Sequence, residues 1–142
     1  MEELPEIVHC TQVRVRYADT DQMGVVYYAA YLVYFEVGRT ELLRACGVAY
    51  RELERQGYLL PVLEAHVTYC APAHYDDELT VRTRYQPRYE PRLRLEYEVL
   101  RQQQRIAIGY TLHAFMDARR WRPVRPPKFF WEALRQRVKQ CT

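Results

Sequence analysis

The chain contains no serine and no asparagine, so a serine nucleophile and its triad are excluded outright. Cysteine is sparse. Cys10, Cys46, Cys70 and Cys141 form no Cys-x-x-Cys pair and show no regular spacing, which argues against a disulfide framework and against a zinc cluster. None of the five glycines builds a GxGxxG or P-loop pattern, and His9, His66, His74 and His113 fall in no recognised ligand spacing. His66 and Cys70 share a strand face but sit about 13 Å apart along it, too far to share one ion. No metal site and no separate cofactor are therefore expected. No window approaches the roughly 18 apolar residues that span a bilayer, and the acidic start MEELPEIVHC is unlike a signal peptide. A cytoplasmic protein without stable membrane association is the expectation.

What is present is ordinary for a folded domain: 142 residues, 49% hydrophobic and 27% charged. This length suits a single domain over residues 1–142, with its core over about 7–134. The net charge of +3 conceals an uneven distribution. Residues 1–100 carry 11 basic and 16 acidic side chains, whereas 101–142 carry 10 and 2. A cationic face of that kind can attract phosphates or nucleic acid, but it is more often simply solvated, and no nucleic-acid partner is expected from it.

Alternation over Ile7 to Tyr17 predicts a strand with Val13, Val15 and Tyr17 on one face. After the turn-prone ADTDQMG the period changes from two to about 3.6, predicting a long helix from near Tyr28 to a glycine cap at Gly47. Tyr31, Phe35, Gly38, Leu42 and Ala45 form its apolar stripe. Gly38 costs such a helix about 1 kcal/mol relative to alanine, which a close approach to a strand would explain. A short helical piece over 48–56 and extended segments at about 58–71, 79–87, 92–101 and 105–117 follow. The third is the clearest, because Leu93, Leu95, Tyr97 and Val99 alternate with Arg92, Arg94, Glu96 and Glu98. A proline-rich connector then leads to an amphipathic helix starting just after Pro127. Consecutive strands with short turns are antiparallel, so the fold class is α+β.

The run from Tyr17 to Arg44 carries Tyr-x-Asp19-Thr20-Asp21, Gly24, Val25-Val26-Tyr27, then Phe35-Glu36 and Arg39-Thr40-Glu41 on the helix. Downstream stand Pro61-Val62 and Tyr69-x-Ala71-Pro72-Ala73-x-Tyr75-Asp76-Asp77-Glu78-Leu79. Together these resemble hot-dog thioesterases of the 4-hydroxybenzoyl-CoA thioesterase type, including the short-chain acyl-CoA branch, over about residues 7–134. The resemblance implies a five-stranded antiparallel sheet wrapped around one long helix. It implies hydrolysis of a short-chain or aromatic acyl-CoA, with CoA as part of the substrate, and a homo-oligomer, dimer or homotetramer, whose sites form between protomers. It also places Asp21 as nucleophile or general base, the backbone N–H of Tyr28 as the chief donor to the thioester carbonyl, and Gly24 where the chain passes close to the acyl group. Members of the short-chain branch often carry His at the position of Tyr28, whereas the hydroxybenzoyl branch has an aromatic residue there.

Such chemistry is undemanding, because a thiol of pKa about 8.5 leaves readily as thiolate. Asp21 falls just ahead of a helix, where unpaired N–H groups and the positive dipole end collect. Taken alone, Asp19 and Asp21 would more often be ordinary turn or helix-capping residues. Glu36, Arg39 and Glu41 are expected in ion pairs rather than in chemistry. Arg88, Arg92 and Arg125 are the candidates to meet CoA phosphates. The alternatives of another class are a non-catalytic acyl-CoA-binding or scaffold protein, an acyl carrier protein thioesterase, and a hydroxyacyl thioester dehydratase, the last disfavoured by the missing histidine.

Overall fold

A computed structural model describes residues 3–141, with side chains described through Arg137. Eight strands and three helices follow one another: β1 (Ile7–Arg14), α1 (Ala30–Ala45), α2 (Tyr50–Arg55), β2 (Tyr58–Leu59), β3 (Val62–Tyr69), β4 (Glu78–Tyr85), β5 (Arg92–Arg101), β6 (Gln104–Ala114), β7 (Met116–Asp117), β8 (Arg122–Pro123) and α3 (Lys128–Cys141). Five of the strands make one antiparallel sheet in the order β1-β4-β5-β6-β3. The sheet wraps α1, as the hot-dog arrangement requires.

The alternation on β5 sorts as expected: Leu93, Leu95, Tyr97 and Val99 are buried towards α1. Phe35 of α1 stacks flat on Tyr97 with 4.2 Å between ring centroids. Gly38 makes the predicted close approach. A Cβ there would meet the Thr83 hydroxyl and lie 2.7 Å from Val81 Cγ1, so β4 passes directly over the helix backbone. The buried stripe is wider than the spacing suggested, since Tyr34 and Leu43 join it, while Ala45 is exposed and Cys46 is buried in its place. Gly47 caps the helix with φ +84°, and the Val48 N–H returns to the Leu43 carbonyl at 2.9 Å.

Three expectations are corrected. Tyr17 does not continue the inner face of β1: the strand ends at Arg14 and Tyr17 lies exposed in a single 3-10 turn over Tyr17–Asp19. The segment 58–71 is two strands, because Pro61 has no N–H to give to a ladder. The segment 105–117 is likewise broken at Phe115, whose N–H goes to the Pro91 carbonyl (2.8 Å). The fragments left over, β2 and β7, join β8 from the proline-rich connector in a small second sheet of order β2-β7-β8. α3 buries Phe130, Trp131 and Leu134 over this end of the molecule.

One buried polar chain runs across β5 and β6 to the segment between β2 and β3. His113, 2% exposed, faces the Leu60 carbonyl through Nδ1 (3.1 Å) and Thr111 Oγ1 through Nε2 (2.8 Å). Burial is the main influence pushing its pKa down to about 4, so the ring is neutral at pH 7. A carbonyl only accepts, hence Nδ1 carries the proton and Nε2 accepts from Thr111. Thr111 Oγ1 must then accept from the Tyr97 hydroxyl at 2.6 Å.

Candidate active site

The chain between β1 and α1 is shaped by two aspartates with different tasks. Asp19 is 7% exposed and accepts four hydrogen bonds: from the Arg16 N–H (3.0 Å), Nε (3.2 Å) and Nη2 (2.9 Å), and from the Tyr34 hydroxyl (2.9 Å). Burial alone would raise its pKa. The Arg16 and Tyr34 hydrogen bonds outweigh that and hold the carboxyl below its ordinary value. Its own carbonyl takes the Tyr27 N–H (2.8 Å), so Asp19 fixes both ends of the loop.

Asp21 has no such cage. Its Oδ1 accepts only the Met23 N–H (2.8 Å), and its backbone closes a tight turn through Asp21 N–H to the Val25 carbonyl (3.0 Å) and Gly24 N–H to the Asp21 carbonyl (3.0 Å). Gly24 sits at φ +81°, and an added Cβ would meet nothing within 4 Å. Glycine is needed there for its backbone conformation, and the space in front of the turn stays open. The carboxylate is therefore oriented but still half accessible.

At the head of α1 the Tyr28 N–H has no acceptor among the described residues. The Tyr28 carbonyl, by contrast, accepts the Tyr69 hydroxyl from the end of β3 (2.9 Å). Asp21, Tyr27, Tyr28, Tyr31, Tyr69 and Cys70 line one open groove of about 560 Å³. The Tyr27 and Tyr28 rings lie 4.5 Å apart, and the Tyr27 phenol is pushed up, chiefly by Tyr28 and to a lesser degree by the Asp21 charge. A half-accessible carboxyl and an unpartnered backbone N–H just ahead of α1 therefore belong to residues that line the same groove. Tyr69 and Cys70 also line this groove, and their signal in the sequence is their place in the Tyr69-to-Leu79 run.

The other candidates lie elsewhere. Arg88 and Arg92 share a second groove of about 290 Å³ with Glu6, Glu90 and Glu96. Arg125 is exposed between β8 and α3. None of the three lines the groove of Asp21. Arg92 is level with Ala114, beside the Val62 end of β3, whereas the groove lies at the Tyr69 end, about 23 Å away at 3.3 Å per residue. The guanidinium beside the groove is that of Arg101, which is committed to Asp77 at 2.8 Å and to the Pro72 carbonyl. Among the described residues no group of acidic, His or Cys side chains could hold a metal, and no helix is long and apolar enough to cross a membrane. Glu41 pairs with Arg44, as an intrahelical ion pair.

The sequence profile of the thioesterase-like superfamily matches residues 15–134. The acyl-CoA thioesterase YbgC of Haemophilus influenzae is 35% identical over 117 residues, covering 82% of this chain and 86% of its own. Among solved structures, a hypothetical protein, TT1821 from Thermus thermophilus, superposes with a TM-score of 0.84 at 36% identity, covering 91% of this chain and 96% of that one. A DHNA-CoA thioesterase from Staphylococcus aureus reaches the same TM-score of 0.84 at 27% identity, over 94% and 91%.

Proposed function

Because the chain belongs to the thioesterase-like superfamily and is a thioester hydrolase, we propose that it cleaves short-chain or aromatic acyl-CoA to the free acid and CoA at the Asp21 groove. The observation that carries this reading is the pairing of a half-accessible carboxylate with an unpartnered N–H just ahead of a helix, on two residues that line one groove. The Tyr28 N–H, backed by the α1 dipole, receives the thioester oxygen as negative charge builds on it. A donor of this kind is typically worth about 3 kcal/mol in the transition state. Asp21 then acts in one of two ways. Its oxygen attacks the carbonyl carbon, the C–S bond breaks, CoA leaves as thiolate and water opens the mixed anhydride. Alternatively it takes the proton of a water that attacks the same carbon. Gly24 keeps the approach to Asp21 clear. The tyrosine-lined walls suit an aromatic or short acyl group. A panel of acyl-CoA esters assayed for free thiol should show turnover of these. Tight binding of one ester with release from none would leave a binding protein instead.

The groove borders the end of β3, an edge strand of the main sheet. Among the described residues β3 bonds only to β6, leaving an eight-residue edge with Val62, Leu63 and Tyr69 exposed along it. Such an edge is closed by a second copy paired antiparallel about a two-fold axis, giving a dimer that can pair again into a tetramer. Light scattering should report at least twice 17.1 kDa. A fully active species of 17.1 kDa would rule the shared site out.

A further inference from the structure

Beside its buried stripe, α1 has a second flank with a space of its own. Arg39 and Leu43, one turn apart, line a partly enclosed cavity of about 400 Å³ between the helix and the β4–β5 part of the sheet. Three later elements close it: Tyr50 of α2, Leu60 just after β2, and Phe130 of α3. Small-molecule sites ordinarily run to roughly 300–1,000 Å³, so the space is large enough to be one. It shares no lining residue with the Asp21 groove. Arg39 stands nine residues past the first residue of α1, about 13 Å along the axis at 1.5 Å per residue.

Two polar groups in this lining have no counterpart in the fold. Arg39 is half-buried, and the ion pair expected for it is not formed among the described residues: Glu41 goes to Arg44, and Glu36, exposed at the rim, enters none. Tyr85, at the end of β4, is 1% exposed, and its hydroxyl has no hydrogen-bond partner among the described residues. Burial pushes that phenol up, so it stays a proton donor through the neutral range. The Tyr50 hydroxyl accepts the Leu60 N–H (3.3 Å), which leaves its own proton to give. His113 uses both ring nitrogens on Leu60 and Thr111 and, being neutral, adds no charge. The rest of the wall is apolar, made by Leu43, Leu60, Leu93, Leu95 and Phe130. Water satisfies polar groups but gains nothing against five apolar side chains, so hydration accounts for only part of this lining.

We infer that the cavity is a second binding site, for a small carboxylic acid with an aryl or short alkyl body. The carboxylate pairs with Arg39 and accepts the Tyr85 and Tyr50 hydroxyl protons, while the body lies on the leucines and Phe130. A guanidinium offers a carboxylate two parallel N–H donors, and a partly buried cation without a partner gains from acquiring one. One cation among neutral donors suits a monoanion better than a phosphate, and the Glu36 carboxylate at the rim opposes a second negative charge. The site stands on its own lining, whatever the Asp21 groove hydrolyses.

Benzoate and benzamide share a shape and differ in charge. Added to the full chain, benzoate should raise the melting midpoint saturably and bind, by calorimetry, about tenfold more tightly than benzamide or better. Arg39→Gln should weaken benzoate by about tenfold or more and leave benzamide unchanged, and Arg39→Lys should recover part of the loss. Leu93→Phe fills the space without touching the charge and should weaken both compounds. Asp21→Asn should bind benzoate as the wild type does. Should Arg39→Gln fail to fold, the benzoate–benzamide difference in the wild type and the effect of Leu93→Phe still decide. Equal affinity for the two compounds, no response to either, or unchanged benzoate affinity in Leu93→Phe overturns the inference and leaves a hydrated cavity. A benzoate response abolished or enhanced by Asp21→Asn assigns the acid to the groove and overturns it as well. Binding governed by Arg39, with no thiol released from any acyl-CoA, would keep this site and sink the hydrolase reading.

Discussion

Asp21→Asn should lower kcat by roughly two to four orders of magnitude, the range that loss of a general base or nucleophile usually gives, and leave KM close to wild type. The amide keeps the size of the side chain, and its oxygen still accepts the Met23 N–H that shapes the turn. What is removed is the charge and basicity facing the groove. The melting midpoint should hardly move, because no other side chain leans on Asp21: its one accepted bond is local and backbone-donated. Near-wild-type kcat in a folded Asp21→Asn protein would refute the proposed chemistry.

Asp19→Asn should do the reverse, weakening the fold with a smaller effect on the chemical step. Each Asp19 oxygen accepts two donors, and an amide has only one acceptor oxygen to offer. Either the Arg16 guanidinium or the Arg16 backbone N–H then faces an NH2 group, and in the second case the Tyr34 hydroxyl must give up its donated bond. Stranding a buried partner in this way costs about 1–3 kcal/mol, which for a domain of this size lowers the melting midpoint by several degrees. The loss depends on pH with a defined sign. A carboxyl held below its ordinary pKa in the folded state stabilises above the unfolded value of about 3.9, and that contribution disappears as pH falls through the folded value. Urea midpoints of wild type and variant should therefore differ most near neutrality and converge in acid. An unchanged gap down to pH 2 would show that the ionised carboxylate is not what stabilises the loop.

The contrast between these two residues shows where sequence reading stops. The long helix, β5 and the Gly38 approach were legible because periodicity and a single misplaced glycine report directly on burial. Asp21 was legible only through its motif. Asp19 reads as a capping residue, and so it is, but its Tyr34 partner lies 15 positions away on another element, and nothing local announces that bond. β2, β7 and β8 are two residues each, too short to show a period. The places of Arg88 and Arg92 relative to the groove depend on which end of the sheet each strand starts from, and alternation carries no information on that.

The buried chain from Tyr97 through Thr111 and His113 to the Leu60 carbonyl has one further consequence, for how this protein can change. Only one orientation of its hydrogens satisfies every member, fixed at one end by a carbonyl that can only accept. Thr111 to valine alone would strand two neighbours, and Tyr97 to phenylalanine alone would strand Thr111. The three side chains are therefore a single unit of substitution. An apolar replacement is reachable by changing several of them together, through intermediates each less stable than either end, so drift at any one position is contingent on the others.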